Sequence, residues 1–408
     1  MSLLHKIKME KIYLDYNATT PVSGKAKKAA IQAMEHGWGN PGCLHDAGLA
    51  ARRLLESARE SLARLILAHE DEILFLSGGT EANNTVLLSI FPGLCSGRTG
   101  HLITSQIEHP SVLKPAIRLM EMGYHCTFLR VDANGVVSPR ELEAAIRPET
   151  RLVSIMLANN ELGTIQAIQT LNTIAKKHDI LFHTDASQAI GKIEVDARAL
   201  GVDYLTMAGH KFYAPKGIGA LYVRKGAPFV PMFLGGGQEG GMRPGTESVV
   251  LIAALGASAR ETRSTLQEER ERLRLLRDRL FHGLRAGIGE DRVVNNIDLS
   301  LSLPNTLSVR FRGVRGKDLL ALSSMVMAST GAACHEGGKT SVSHVLSAIG
   351  LKGNEVLETV RLSIGRYTTE DHIDLAVEDM VKAYEKALSS CNASSTNGQH
   401  TETRRKIH

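Results

Sequence analysis

The chain has 408 residues, 43% of them hydrophobic and 22% charged, the balance of a globular protein long enough for two domains or one large one. Its net charge of +5, from 48 basic and 43 acidic side chains, is too small to argue for nucleic acid or a membrane surface. No apolar run reaches the roughly 18 residues of a membrane span, and the opening MSLLHKIKMEK is too short and too charged for a signal peptide, so the cytoplasm is the expected compartment.

In chain order, short apolar runs predict strands at 72–76 (EILFL), 101–104 (HLIT), 127–131 (TFLRV), 152–157 (LVSIML), 180–184 (ILFHT), 204–207 (YLTM) and 219–223 (GALYV). Helical patterns lie between many of them, at 48–67, 111–122, 139–146 and 170–178. Such alternation predicts an α/β fold, a large domain around a mostly parallel central sheet flanked by helices. After Gly245 the character changes. Leu266, Leu273, Leu276 and Leu280 mark one face of a long charged helix, and its interleaved Glu and Asp read as a solvated face rather than a nucleic-acid stripe. TLSVRF and a closing helix near 373–388 then suggest a smaller α+β domain. The expected division is a tail at 1–10, an N-terminal segment at 11–25 packing with the small domain, a large domain at 26–250, a small domain at 251–388 and a disordered tail at 389–408.

Five cysteines (Cys43, Cys95, Cys126, Cys334, Cys391) are scattered without a CxxC pair, and 16 histidines form no HExxH, so neither a disulfide framework nor a metal site is expected. Gly235–Gly240 matches GxGxxG literally. Pro244 follows too soon for a helix to open there, which argues against a dinucleotide site.

Ligands of a parallel sheet bind beyond the carboxyl ends of its strands, so the residues that follow each strand carry the functional information. A glycine turn, Ser77-Gly-Gly79-Thr80, opens a helix whose free N–H groups suit a phosphate. His109, Asn160, Asp185 with Gln188, and His210 with Lys211 follow other strands. A phosphate site, a carboxylate, an imidazole and a lysine together suit pyridoxal phosphate, whose aldehyde bonds a lysine and whose ring nitrogen needs a carboxylate. Lys211 is the better imine candidate, because Lys216 sits in a Gly-rich turn after Pro215. Cys334, in the Gly- and Ser-rich stretch ASTGAACHEGGKTSVSHV, has little apolar sequence around it, and His335 and Lys339 would favour its thiolate.

These motifs resemble the class V aminotransferase-like pyridoxal phosphate enzymes, specifically cysteine desulfurases and selenocysteine lyases. The likeness runs from YLDYNATTPV through WGNPGCLHDAG, FLSGGTEANN, IEHPSV, LANNELGTIQ, HTDASQAIGK, GHKFYAPKGIGALYV, GGGQEGGMRPGTES and STGAACH to VRLSIGRYTTEDHID. The resemblance implies fold type I and the cofactor pyridoxal 5'-phosphate. It makes Lys211 the Schiff-base lysine, Asp185 the partner of the ring nitrogen, and His109 the ring-stacking imidazole that helps move protons. Asn160 and Gln188 would bind near the phenolic oxygen; Gly79, Thr80 and His210 near the phosphate. Thr246 would be a phosphate contact given by a second subunit, which implies a homodimer. Arg361 would clamp the substrate carboxylate, with Asn160 beside it, and Cys334 would be the reactive thiol. The implied reaction turns L-cysteine or L-selenocysteine into L-alanine, with a possible acceptor protein for the sulfur or selenium. Selenocysteine lyase is the favoured reading, because GAACHEGG, GGGQE…RPGTE and YNATTP lean that way. A cysteine desulfurase and another fold-type-I aminotransferase are the alternatives. Ala208 stands where many desulfurases carry a phosphate-binding serine, and Ala214 where glycine is usual.

Overall fold

The computed structural model describes residues 11–95, 97, 99–330 and 343–399. Its strands are, in chain order, β1 (Ile12–Tyr13), β2 (Ile73–Leu76), β3 (His101–Ser105), β4 (His125–Leu129), β5 (Thr150–Ser154), β6 (Leu181–Asp185), β7 (Tyr204–Ala208), β8 (Gly219–Val223), β9 (Val293–Asn295), β10 (Thr306–Phe311), β11 (Val326–Met327), β12 (Ser329–Thr330) and β13 (Thr359–Ser363). The chain divides into two compact units, residues 17–270 and residues 1–16 with 271–408.

The larger unit holds a seven-stranded sheet in the order β2-β8-β7-β6-β5-β3-β4. The pairs β3–β4, β3–β5, β5–β6 and β6–β7 are parallel. Only β8 runs against its neighbours. It follows β7 through residues 209–218 alone, which is too short for a crossover helix, so the chain has to turn straight back. β2, β3, β7 and β8 are buried along their whole length, as strands covered on both faces must be. β4 begins two residues before the predicted run, at His125, because it pairs in register with β3 from His101 onwards.

The smaller unit carries the antiparallel sheet β12-β13-β10-β9 and the parallel pair β1–β11. Its core joins Leu273, Leu276 and Leu280 to Val309, Phe311, Leu362 and Met380. The closing helix runs Glu370–Gln399, well past the expected end. Adding a turn to an existing helix avoids the nucleation cost, so even the polar run after Ser389 can continue it. The rest of the expected tail, 400–408, lies outside the described residues.

Both expected boundaries move. The long helix Val249–Ile288 belongs to the larger unit up to Arg270. Ile252, Leu255 and Ala259 are buried there, and a Cβ on Gly256 would sit 2.5 Å from Ala58 Cα, a close helix contact that only glycine permits. At the other end the division falls at 16/17 rather than 25/26. Residues 17–23 wrap the turn after β7: Thr20 N donates to His210 O at 3.0 Å, Tyr213 N to Thr20 Oγ1 at 2.8 Å, and Ser23 N to Tyr213 O at 3.0 Å.

Gly235–Gly240 leads into a short 3₁₀ turn, Gln238–Gly241. Glu239 and Gly240 have positive φ, 50° and 64°. That turn delivers the Glu239 carboxylate to Arg59 in a bidentate pair at 3.0 and 2.7 Å, and to Phe75 N at 2.9 Å. The loop is therefore anchored to the helix Asp46–Leu65 by a largely buried ion pair and to the edge strand β2 by the Phe75 N–H.

Candidate active site

Lys211 ends a short 3₁₀ turn, Gly209–Lys211, directly after β7. Its Nζ donates to Asn17 O at 2.7 Å and Ala18 O at 2.9 Å, so the half-buried ammonium meets two carbonyl acceptors. The turn after it contains Tyr213 at φ 71°, an unusual conformation for a bulky side chain, held by the contacts to Thr20 and Ser23. Gln188 is buried, and its Nε2 donates to the same Asn17 oxygen at 2.9 Å while Oε1 accepts from Lys192 Nζ at 3.0 Å. Asn17 Nδ2 in turn donates to Asn160 O at 3.2 Å. Asn17 thus gathers Lys211, Gln188 and Asn160. It carries no chemical signature of its own, because its main contribution is a backbone carbonyl.

The two asparagines after β5 have different tasks. Asn159 is fully buried, and its Oδ1 accepts from the N–H groups of Glu161 and Leu162 at 2.8 and 2.9 Å, which folds the turn. Asn160 is then presented beside Asn17.

Asp185 closes β6 and is 7% exposed. Oδ2 accepts from Asn83 Nδ2 at 2.7 Å and Oδ1 from Ser187 N at 2.9 Å. Asn83 Nδ2 also lies 2.8 Å from Ser111 Oγ, which lies 2.8 Å from His109 Nδ1. His109 caps the helix Pro110–Glu121, accepting the Ser111 N–H on Nδ1 at 3.1 Å. Asn83 and Ser111 were not among the expected site residues. The repeated Asn in TEANN and the Ser two positions after His109 are the only traces they leave in the sequence.

Burial governs the ionisation of this neighbourhood. It pushes the Glu108 carboxyl up to about 8, and nearby Asp185 adds to the rise, against hydrogen bonds from Ser105 Oγ and Met156 N. His183 stands two residues before Asp185 in β6, between Ser154 Oγ at 2.8 Å and Thr206 Oγ1 at 3.0 Å, and burial lowers it to about 4. His210, 3.2 Å from Thr19 Oγ1, is lowered to about 4 by burial and by Lys211, Lys216 and Lys192, and is neutral near pH 7.

The backbone is tight at the glycine turn. Gly78 has φ 155°, which glycine alone adopts freely, and a Cβ on Gly79 would sit 3.1 Å from Ser187 Oγ and 3.3 Å from Ala208 Cβ. The turn therefore lies against the ends of β6 and β7. Thr80 is exposed at the start of the helix Gly79–Asn84. Thr246 is exposed and takes part in none of the hydrogen bonds described above. Arg361 belongs to the smaller unit, on β13, where Nη2 donates to Asp15 Oδ1 at 2.7 Å and to Ser329 Oγ at 3.1 Å. Cys334 lies outside the described residues. Among the described residues, no cluster of His, Cys, Asp and Glu could hold a metal, and no helix is long and apolar enough to cross a membrane.

The donor set suits pyridoxal phosphate. Asp185 keeps unused lone pairs for a ring N–H, and Gln188 Nε2 has a second proton to offer. The Lys211 amine is tethered by backbone carbonyls, and a side chain at Gly79 would crowd Ser187 Oγ and Ala208 Cβ.

The aminotransferase class-V family matches residues 12–375. A cysteine desulfurase of Dictyoglomus turgidum is 41% identical over 92% of this chain and 95% of its own length. A selenocysteine lyase of Homo sapiens is 40% identical over 93% of each chain. A solved NifS-like protein superposes with a TM-score of 0.85 at 36% identity, covering 91% of this chain and 98% of that one. The chain belongs to the aminotransferase class-V family.

Proposed function

We propose that L-selenocysteine is the favoured substrate of this enzyme, and that Lys211, Asp185, His109 and Cys334 carry its chemistry. The broader activity is that of a pyridoxal phosphate enzyme releasing L-alanine from L-cysteine or L-selenocysteine. The observation that carries the residue assignment is the meeting of Lys211 and Gln188 on Asn17 O, with the Asp185–Asn83–Ser111–His109 chain beside it.

Bound pyridoxal phosphate supplies an aldehyde and an electron-accepting ring. Lys211 would hold the cofactor through its aldehyde and would take the α-proton of the substrate. Asp185, met by two N–H donors, holds the proton on the ring nitrogen. His109 would position the cofactor and help move protons. Gln188 Nε2 and Asn160 serve the phenolic oxygen, while Gly79, Thr80 and neutral His210 serve the phosphate. Arg361 takes the substrate carboxylate, a task suited to its fork of donors. With L-cysteine, the Cys334 thiolate would attack the substrate sulfur as its bond to the β-carbon breaks, keeping that sulfur as a persulfide while the bonding pair stays with the carbon that becomes the methyl group of alanine. Thr246 serves from a second copy of the chain, which makes the working enzyme a homodimer, and the cytoplasm is its compartment.

The desulfurase reading has its own support in the 41% identity to a cysteine desulfurase. The test is alanine formation from L-cysteine and L-selenocysteine side by side. A larger kcat/KM for L-selenocysteine supports the lyase, the reverse order supports the desulfurase, and no alanine from either overturns the residue assignment.

A further inference from the structure

The geometry points to Asn83 and Ser111 as a two-residue positioning relay that ties the carboxylate of Asp185 to the imidazole of His109, so that each end responds to the other. The inference rests on the roles proposed above for Asp185 and His109. Neither relay residue is expected to touch substrate.

The direction of every hydrogen bond is forced. Asn83 is fully buried, with Nδ2 2.7 Å from Asp185 Oδ2 and 2.8 Å from Ser111 Oγ. A carboxylate only accepts, so the amide must face it with nitrogen; the reversed amide would set two oxygens against each other. One amide proton goes to Asp185 and the other to Ser111 Oγ. That oxygen therefore accepts from Asn83 and spends its own proton on His109 Nδ1 at 2.8 Å. The Ser111 N–H points at the same nitrogen at 3.1 Å. With two donors on Nδ1, the neutral ring carries its proton on Nε2, and the ring plane is pinned. His109 so held presents a donor at Nε2.

The arrangement has a local cost. Asn83 Oδ1 is buried with no partner among the described residues, a broken rule that native proteins tolerate mainly where placement matters. The surrounding backbone is adapted as well. The helix Gly79–Asn84 passes into a π-helical stretch, Thr85–Ile90, a wide turn often found at functional sites. In the facing helix Pro115 has no N–H for the Ser111 carbonyl, and Asn84 Nδ2 lies 3.5 Å from that oxygen.

The test uses the full-length holoenzyme labelled with ¹⁵N-histidine, with the His109 lines assigned by their loss in His109→Gln. Wild type should show a neutral His109 protonated on Nε2. Asn83→Ala should move the His109 Nδ1 line although the described bonds of Asn83 go to Asp185 and Ser111. Ser111→Ala should shift the cofactor absorption band although Ser111 does not touch Asp185. It should also lower kcat about tenfold with little change in KM. Ser111→Thr, which keeps the hydroxyl, should restore both the band and kcat. An unmoved Nδ1 line in Asn83→Ala, or an unmoved band in Ser111→Ala, overturns the relay. If Asn83→Ala does not fold, Ser111→Ala against Ser111→Thr decides at both ends. A wild type that never acquires the band overturns the functional reading instead, and the His109 line then still tests the relay.

Discussion

Lys211 and Gln188 lean on one atom: the carbonyl oxygen of Asn17 accepts Nζ at 2.7 Å and Nε2 at 2.9 Å. A lysine between two buried strands loses much of its hydration and needs acceptors to replace it. Here they come from two peptide groups, 194 and 193 residues earlier in the chain. Asn17 O and Ala18 O are neutral carbonyls, so the amine can leave them for a reactive aldehyde without stranding an opposite charge there.

Replacing Lys211 by alanine should remove both the covalent hold on the cofactor and the base for the α-proton. Purified Lys211→Ala is expected to lack the yellow band, and its turnover of L-cysteine should fall at least about a thousandfold. A coloured, active variant would sink the assignment. Cys334→Ala should keep the band and lose sulfur release, which sulfide assays with alanine quantification would read directly; full-rate release would remove Cys334 as the acceptor.

Glu108 should make the fold less stable as pH rises. Its folded pKa, about 8, lies above the ordinary 4.5, so its contribution is fully present below pH 4.5 and is lost as pH climbs to 8. Glu108→Gln keeps the shape without the charge. Denaturant unfolding at pH 5 and pH 8.5 should therefore show the variant gaining on wild type by about 2 kcal/mol or more, since each tenfold change in proton affinity on folding is worth about 1.4 kcal/mol. Equal gaps at the two pH values would mean that Glu108 is not held protonated.

Three histidines should make the larger unit acid-labile. Burial lowers His101, set between Thr150 Oγ1 and Thr127 Oγ1 at 2.8 Å each, to about 4, as it does His183 and His210. Their folded pKa values lie below the ordinary 6.5, so their stabilisation is complete above pH 6.5 and is lost as pH falls through 4. The unfolding midpoint should drop steeply between pH 6.5 and 4, and His183→Gln should lessen that slope. An unchanged slope would show that His183 does not drive it.

The sequence by itself determined the seven strands of the large sheet and placed Lys211, Gln188, Asn160 and His109 after strand ends, with Asp185 where β6 closes. Those features are local: apolar runs, glycine turns and chemically distinctive side chains can be read within a few residues. Tertiary structure alone decided that Asn17 O would receive Lys211 and Gln188. It also decided that Asn83, 28 residues from Ser111 and 102 from Asp185, would join the two, and that the long helix would change units at residue 270 rather than near 250. The physical reason is the same in each case. A backbone carbonyl has no residue-type signature and an asparagine looks like any helix residue, so their partners are fixed only when the closing sheet brings distant loops within hydrogen-bond reach.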